Sequence, residues 1–355
     1  MRDRILILLF GDLGDTLLTI PALRALRCHY PRAQITLLTK EIPAQIVRPL
    51  DLVDDVIVID KHVYDSPGAL RSPRAWLYLW KLWRRIRRFN SDTVVLYHHL
   101  VTRWGTAKFA ALALASGARE RIGIDNGRGW FLTSAVPDDG FGARHEAEYF
   151  MAVSNLLGAD APLRLEVMFS DADRRVAADL LPAGRFIAIH PGTGWYGPGR
   201  RWDPTRFAEA ADTAARSLGA IPVIVGTGAD REAADAVLNA LDIAAVDLVG
   251  QTGIEQLAAV LARCAVLIAN DGGVAHLAAA VGCPVVTVFG PSNDAAWRPL
   301  SGTVVAADLP CRPCFYRGFE RGLPNGCATR ECLSLVPAAR VAAEAVALAD
   351  AQRDD

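Results

Sequence analysis

Apolar runs of three to six residues recur along the chain, each closed by a polar or Gly/Pro turn. Between them lie longer segments in which apolar residues return every three or four positions. The short runs have the continuity of strands buried on both faces, and the longer ones have the period of helices. In the first half the pattern predicts strands at 5–10, 34–39, 56–59, 93–97 and 121–123. It predicts helices there at 16–29, 44–49, 72–89, 106–116 and 145–157. Pro21 is placed in the first turn of its helix, where a missing N–H costs little. A second series has strands at 186–190, 222–225, 247–249, 265–269 and 284–289, with helices at 204–217, 230–241, 254–263 and 274–281. A last helix is predicted at 337–351. Alternating strands and helices imply parallel, doubly wound sheets. Two series imply two domains, 1–160 and 185–336, with a linker at 161–184 and a terminal segment at 337–355.

Composition narrows the class. A chain of 355 residues, 52% hydrophobic and 22% charged, can form two domains with large cores. A net charge of −1 gives no overall basic field for nucleic acid. No apolar run reaches membrane-spanning length. The first ten residues begin like a signal peptide, but no small-residue cleavage site follows and Gly11-Asp12 ends the apolar stretch. They are read as the first strand of a cytoplasmic protein.

In such sheets ligands bind at the carboxyl ends of the strands, so the turns there carry the candidate chemistry. Asn270-Asp271-Gly272-Gly273 follows a buried strand and opens a helix containing His276. Two glycines admit a ligand close to the backbone, and a helix start offers N–H groups to an anion. The plain alternative is a tight turn with a capping Asp and a buried His. Gly192-x-Gly194-x-x-Gly197 also follows a strand, but no helix opens directly after it, as a dinucleotide site requires. Its glycines, Thr193, Arg200 and Arg201 suit a phosphate instead. Asp12 and Asp15 end the first strand, where a carboxylate can serve as a general base or cap the next helix. Asp230 can cap its helix or hold ribose hydroxyls.

Residues 72–89 combine Trp76, Leu79, Trp80, Trp83 and Ile86 with Arg74, Lys81, Arg84, Arg85, Arg87 and Arg88. A basic amphipathic helix can lie on an anionic membrane. The helical spacing of the aromatic residues fits core packing better, with the basic residues solvated, and that is the expectation. Cys311, Cys314, Cys327 and Cys332, spaced x2, x12 and x4, favour a structural Zn or Fe over disulfides in a cytosolic protein.

Together these elements resemble glycosyltransferase family 9, the ADP-heptose:lipopolysaccharide heptosyltransferases, over nearly the whole chain. The resemblance rests on Gly14-Asp15 with Pro21 and Leu26, Tyr30-Pro31, Gly117-Ala118 with Arg121 and Gly123, and His145-Glu146. It continues through His190 to Thr193, Arg200-Arg201-Trp202, Gly228 to Asp230 with Glu232, and Asn270 to Gly273 with His276. It implies a GT-B fold: two Rossmann-like domains facing a cleft, the donor bound mainly by the C-terminal one and the acceptor by the N-terminal one. It implies inversion at the anomeric carbon with no catalytic metal or other cofactor. By the same resemblance Asp15 matches the proposed general base. Thr193, Arg200, Asp271, Gly272, Gly273 and His276 match positions that handle the donor's diphosphate and sugar, and Asp230 matches the acidic residue at the ribose. The family often has Lys where this chain has Arg200, which keeps the charge and changes the geometry. In GT-B folds the last helix packs back on the N-terminal domain, and some protein-modifying relatives bind iron through four cysteines. The expected activity is heptose transfer from ADP-heptose to a lipopolysaccharide inner-core acceptor. Another acceptor or nucleotide sugar, or a non-catalytic binding module, are the alternatives. The expected site of action is the cytoplasm, with peripheral association at the inner membrane as the one membrane contact left open.

Overall fold

The computed structural model describes residues 3–60, 72–194, 197–323 and 325–354. The chain forms two units, residues 1–139 with 147–163 and residues 140–146 with 164–355. The first unit contains strands β1 (Arg4–Leu9), β2 (Gln34–Thr39), β3 (Asp55–Val58), β4 (Thr93–Leu96), β5 (Glu120–Asp125) and β6 (Ser134–Pro137). Its helices are α1 (Leu13–His29), α2 (Glu41–Val47), α3 (Pro73–Phe89), α4 (Arg103–Ala115) and α5 (Glu146–Asn155), the last beginning one residue before the boundary.

The second unit opens with α6 (Asp171–Leu180) and β7 (Arg185–His190), then α7 (Pro204–Leu218), β8 (Ala220–Ile224), α8 (Arg231–Leu238) and β9 (Val246–Asp247). It continues with α9 (Ile254–Leu261), β10 (Cys264–Asn270), α10 (Gly273–Ala280), β11 (Val285–Phe289), α11 (Asp294–Trp297) and β12 (Thr303–Ala306). The short α12 (Glu331–Ser334) and the long α13 (Ala338–Asp354) complete it.

Both sheets are six-stranded and parallel, as expected. The strand orders are β3-β2-β1-β4-β5-β6 and β12-β11-β10-β7-β8-β9. The second order, read from its other edge, repeats the first, and both are the dinucleotide-fold order with the reversal at the central pair. The reversals fall between β1 and β4 and between β7 and β10. Crossovers leave these neighbouring strands in opposite directions, which opens a crevice at their carboxyl ends. The central strands are buried along their length, and helices cover both faces of each sheet.

Several elements depart from the sequence reading. Helix α1 begins at Leu13, not at residue 16, because Asp12 in extended conformation is its N-cap. Asp15 therefore sits at the third helical position, and its Oδ2 accepts the Asp12 N–H at 3.0 Å. Pro21 consequently lies at the ninth residue of the helix, not in its first turn. The expected linker contains α6, started by Ser170 and Asp173, whose Oδ2 takes the Ser170 N–H at 2.8 Å. This helix packs on α9, so it belongs to the second unit. Strands β6 and β12 were not predicted; they are four-residue edge strands, too short and too exposed to show an apolar run.

Helix α3 faces differently from expectation, and α13 is seated on the sheet of the second unit. In α3 the buried residues are Ala75, Leu82 and Ile86, while Trp76, Trp80 and Trp83 are exposed. The aromatic residues therefore do not form the core-facing stripe. In α13 the buried residues Val341, Ala342, Ala345 and Ala349 join the core of the second unit, against α7, β10 and β11. The small-residue face of this helix is thus taken up within its own unit.

Ala345 is fully buried at this contact. Ala345→Asp should place an unpaired charge in the core and cost at least about 3 kcal/mol, because desolvating a lone carboxylate has no compensating partner. Thermal unfolding followed by circular dichroism should show a large loss of melting temperature.

Candidate active site

The carboxyl edge of the first sheet collects Asp12 and Asp15 after β1, Lys40 after β2, His98 and His99 after β4, and Asp138 after β6. Lys40 Nζ pairs with Asp12 Oδ1. Asp15 is half-buried, and its carboxylate receives the helix-start N–H already described. Gly11 lets the backbone pass against it, since a Cβ there would lie 2.3 Å from the Asp15 Cβ. His99 Nδ1 and Asp138 Oδ2 form a buried pair at 2.9 Å, edge-on to the ring of Tyr149. Neither Lys40 nor the His99–Asp138 pair was singled out in the sequence. Each lies just past a strand in no motif of its own, and only the parallel register brings them to one edge.

At the carboxyl edge of the second sheet, the loops after β7 and β10 meet at the reversal. Asn270, fully buried, ties them together. Its Nδ2 donates to the Pro191 carbonyl at 2.7 Å, and its Oδ1 accepts the Trp202 N–H at 2.9 Å. The loop so held presents Arg200, which donates from Nη1 to Asp271 Oδ2 at 3.0 Å and from Nη2 to the Thr193 carbonyl at 3.0 Å. Thr193 is buried, and its hydroxyl donates to the Gly197 carbonyl at 3.2 Å. Arg201 Nε reaches the same hydroxyl at 3.4 Å. Trp195 and Tyr196 of the glycine-rich segment lie outside the described residues.

Gly272 and Gly273 open α10 beside this pair, and His276 lies one turn further on, buried. Gly272 has an extended backbone, φ 172°, that any residue can adopt, and a Cβ there would meet nothing closer than 4.0 Å. Its value at this position is therefore room above the helix start and not backbone freedom. Burial pushes the His276 imidazole down to about 4, with the Asp271 carboxylate opposing and the His145 ring reinforcing the shift. His276 is thus neutral near pH 7, and its Nδ1 is buried without a hydrogen-bond partner.

Asp230, after β8, is buried. Burial opposes its ionisation, but the His190 ring 3.9 Å away and the Thr227 N–H and hydroxyl outweigh that and hold its carboxyl at about 2. Its Oδ2 closes a capping turn with Thr227, and its Oδ1 is buried without a partner beneath Gly192, where a Cβ would come within 2.1 Å. Structure thus brings Thr193, Arg200, Asp271, Gly272, Gly273 and His276 together and sets Asp230 under the adjoining loop. Buried orphan atoms on Asp230, His190 and His276 mark this edge as one built around polar groups. Asn270 and His145 were within the quoted motifs but were not assigned roles.

The four cysteines of the loop 311–332 are all free thiols and border one cavity of about 40 Å³. Donor type and convergence suit a soft or borderline cation. Yet among the described residues no three Cys, His, Asp or Glu side chains stand close enough to share an ion. The loop in this form has the ligands around a cavity without the closed ligand geometry.

The sequence profile for "Glycosyltransferase family 9 (heptosyltransferase)" matches residues 79–321. Lipopolysaccharide heptosyltransferase 1 of Pseudomonas aeruginosa is 27% identical over 325 residues, 88% of this chain and 86% of that protein. Among solved structures, a family 9 glycosyltransferase from Veillonella parvula superposes with a TM-score of 0.76 at 24% identity, covering 98% and 97% of the two chains. E. coli ADP-heptose lipopolysaccharide heptosyltransferase II superposes with a TM-score of 0.75 at 20% identity, covering 99% of each.

The neutral, buried His276 makes stability depend on pH. In the folded protein the ring takes a proton only near pH 4, whereas in the unfolded chain it does so near 6.5. Between those values the unfolded state holds more protons, so stability should rise with pH from about 4 to 6.5, by roughly 2–3 kcal/mol from this group. Urea midpoints across that window should show the slope, and His276→Gln should flatten it.

Proposed function

The chain belongs to glycosyltransferase family 9, and from that premise we propose that it transfers heptose from ADP-heptose to a lipopolysaccharide inner-core acceptor, with inversion and without a catalytic metal. One observation carries the reading. The Arg200–Asp271 pair, the Thr193 loop and the start of α10 form one fixed polar cluster, in a chain that matches lipopolysaccharide heptosyltransferases over most of its length. In this reading the second unit holds the ADP-sugar and the first holds the acceptor. Asp15 takes the proton from an acceptor hydroxyl while its oxygen attacks the anomeric carbon and the bond from that carbon to the diphosphate breaks. The leaving diphosphate is stabilised by Arg200, by the Thr193 loop and by the N–H groups that open α10. Asp271 aligns the guanidinium through one edge. Neutral His276 offers a hydrogen bond to the sugar without adding charge. Asp230 sits beneath the glycine loop that would carry the nucleotide, and its ionised carboxylate suits ribose hydroxyls. The same enzyme would work in the cytoplasm, at the face of the inner membrane where a lipid-anchored acceptor is presented.

The four-cysteine loop enters this proposal as a structural device. Cys311, Cys314, Cys327 and Cys332 would hold one Zn or Fe, ordering a loop with little apolar content. No step of the transfer needs that ion.

A panel of nucleotide sugars tests the donor: ADP-heptose should raise the melting temperature most, since only a ligand of the native state does so. Greater protection by a UDP- or GDP-sugar would overturn it. Within the same assay, Asp15→Asn keeps an oxygen to accept the Asp12 N–H, so stability and donor protection should persist while turnover falls about 10²–10⁴-fold. Arg200→Ala should do the reverse first, weakening the donor by about 10–100-fold, the worth of one charge-assisted contact.

For the cysteine loop, elemental analysis of protein purified without added metal should find about one equivalent of Zn or Fe per chain. Four freely titratable thiols in native protein free of transition metals would end that idea.

A further inference from the structure

Helix α3 carries six basic residues and no acidic one, in a chain whose net charge is −1. Its outward side has two flanks. Trp76, Trp80 and Trp83 follow one another at i, i+4 and i+7 and are 60%, 49% and 48% exposed. Leu77 lies beside them at 53% exposure. Lys81, Arg84 and Arg88 follow the neighbouring line at i, i+3 and i+7, all exposed. The Arg84 guanidinium stacks over the Trp80 ring at 4.6 Å, joining the flanks. Among the described residues Arg85 alone of the six basic residues has an ion pair, with Asp55 at 3.4 Å.

The core does not need these tryptophans. Ala75, Leu82 and Ile86 already seat the helix on the sheet of the first unit. Single exposed apolar residues are ordinary on a protein surface, but four on one helical face form a contiguous patch that marks a binding surface. Tryptophan beside Lys and Arg is the composition that favours the interface of a bilayer. There the indole ring takes the headgroup level, and the cations meet anionic lipid. A helix returning from the carboxyl end of β3 to the amino end of β4 has its first turns at the edge that holds Asp15, and Trp76 and Trp80 lie in those turns.

We propose that the outer face of α3 docks on the surface of an anionic phospholipid bilayer, with Trp76, Trp80 and Trp83 at headgroup depth and Lys81, Arg84 and Arg88 against the lipid phosphates. This names the surface for the membrane association in the functional reading. It concerns lipid alone, so its test uses neither sugar donor nor acceptor and can fail or succeed independently.

The full-length protein is sedimented with vesicles of phosphatidylethanolamine and phosphatidylglycerol, and with vesicles of phosphatidylcholine alone. It should bind the first and not the second, with affinity falling as salt is raised. Joint replacement Lys81→Glu, Arg84→Glu and Arg88→Glu should lower binding about a hundredfold or more. Joint replacement Trp76→Ser, Trp80→Ser and Trp83→Ser should lower it at least about tenfold while circular dichroism shows the native helical content, because Ala75, Leu82 and Ile86 still seat the helix. Equal binding to both vesicle types, or binding unaffected by the tryptophan replacements, overturns the proposal. So does sedimentation equilibrium showing a dimer that the tryptophan replacements dissociate, which would assign the face to a second copy of the chain.

Discussion

The polar edge of the second unit depends on the side-chain amide of Asn270. At the reversal of strand order, the crossovers after β7 and β10 leave in opposite directions, so nothing in the sheet itself fixes one loop against the other. Asn270 closes that gap by donating to one backbone group and accepting from another, 79 and 68 residues away. Buried amides that satisfy both ends specify one arrangement, because any other leaves a polar group unpaired out of water. The accepted N–H belongs to Trp202, two residues beyond Arg200, so the guanidinium reaches Asp271 from a backbone already held.

Charge at that edge is shared along a short chain of groups. Asp271 lies between the Arg200 guanidinium and the His276 ring. Because burial keeps His276 uncharged, the carboxylate serves a single cation and the pair stays compact. The pair is mostly buried, with side-chain exposures of 13% and 8%. Such pairs contribute little net stability, since desolvation offsets much of their attraction, but they fix direction. Direction is what the planar fork of a guanidinium needs for paired hydrogen bonds to an anion.

How much was legible in the sequence follows from what each feature depends on. The eight interior strands, the edge strands β3 and β9 and the helices between them follow local apolar runs and were found, with ends shifted by a few residues. Edge strands β6 and β12 carry few buried residues and were invisible to the same signal. Helix α6 buries only Ala177, so its apolar pattern was silent, although Ser170 and Asp173 spelled its start. The residues clustered at the carboxyl edge of the second sheet could be gathered in advance because each lies within a motif just past a strand. The link through Asn270 and the His99–Asp138 pair could not, since they join positions far apart in the chain. For α3 periodicity was read correctly and its orientation wrongly. Three tryptophans at helical spacing indicate one face, but the smaller stripe of Ala75, Leu82 and Ile86 is the one that is buried. Spacing defines a face without saying which way it turns.

The strip 140–146 belongs to the second unit although residues on both sides of it belong to the first. Phe141 stacks on Trp297 and Tyr316, its N–H donates to the Gly318 carbonyl, and its carbonyl accepts from Asn293 Nδ2. His145 is bonded to the Arg298 carbonyl through Nε2. The polypeptide therefore passes between the units three times, and no single peptide bond separates one from the other. A fragment cut near residue 163 would take this strip away from its partners and leave a gap in the unit it came from. Exchange of one half between relatives is thereby constrained: a recombination point is workable only if the seven residues travel as the property of the other half, or are replaced by a strip that fits the same aromatic seat.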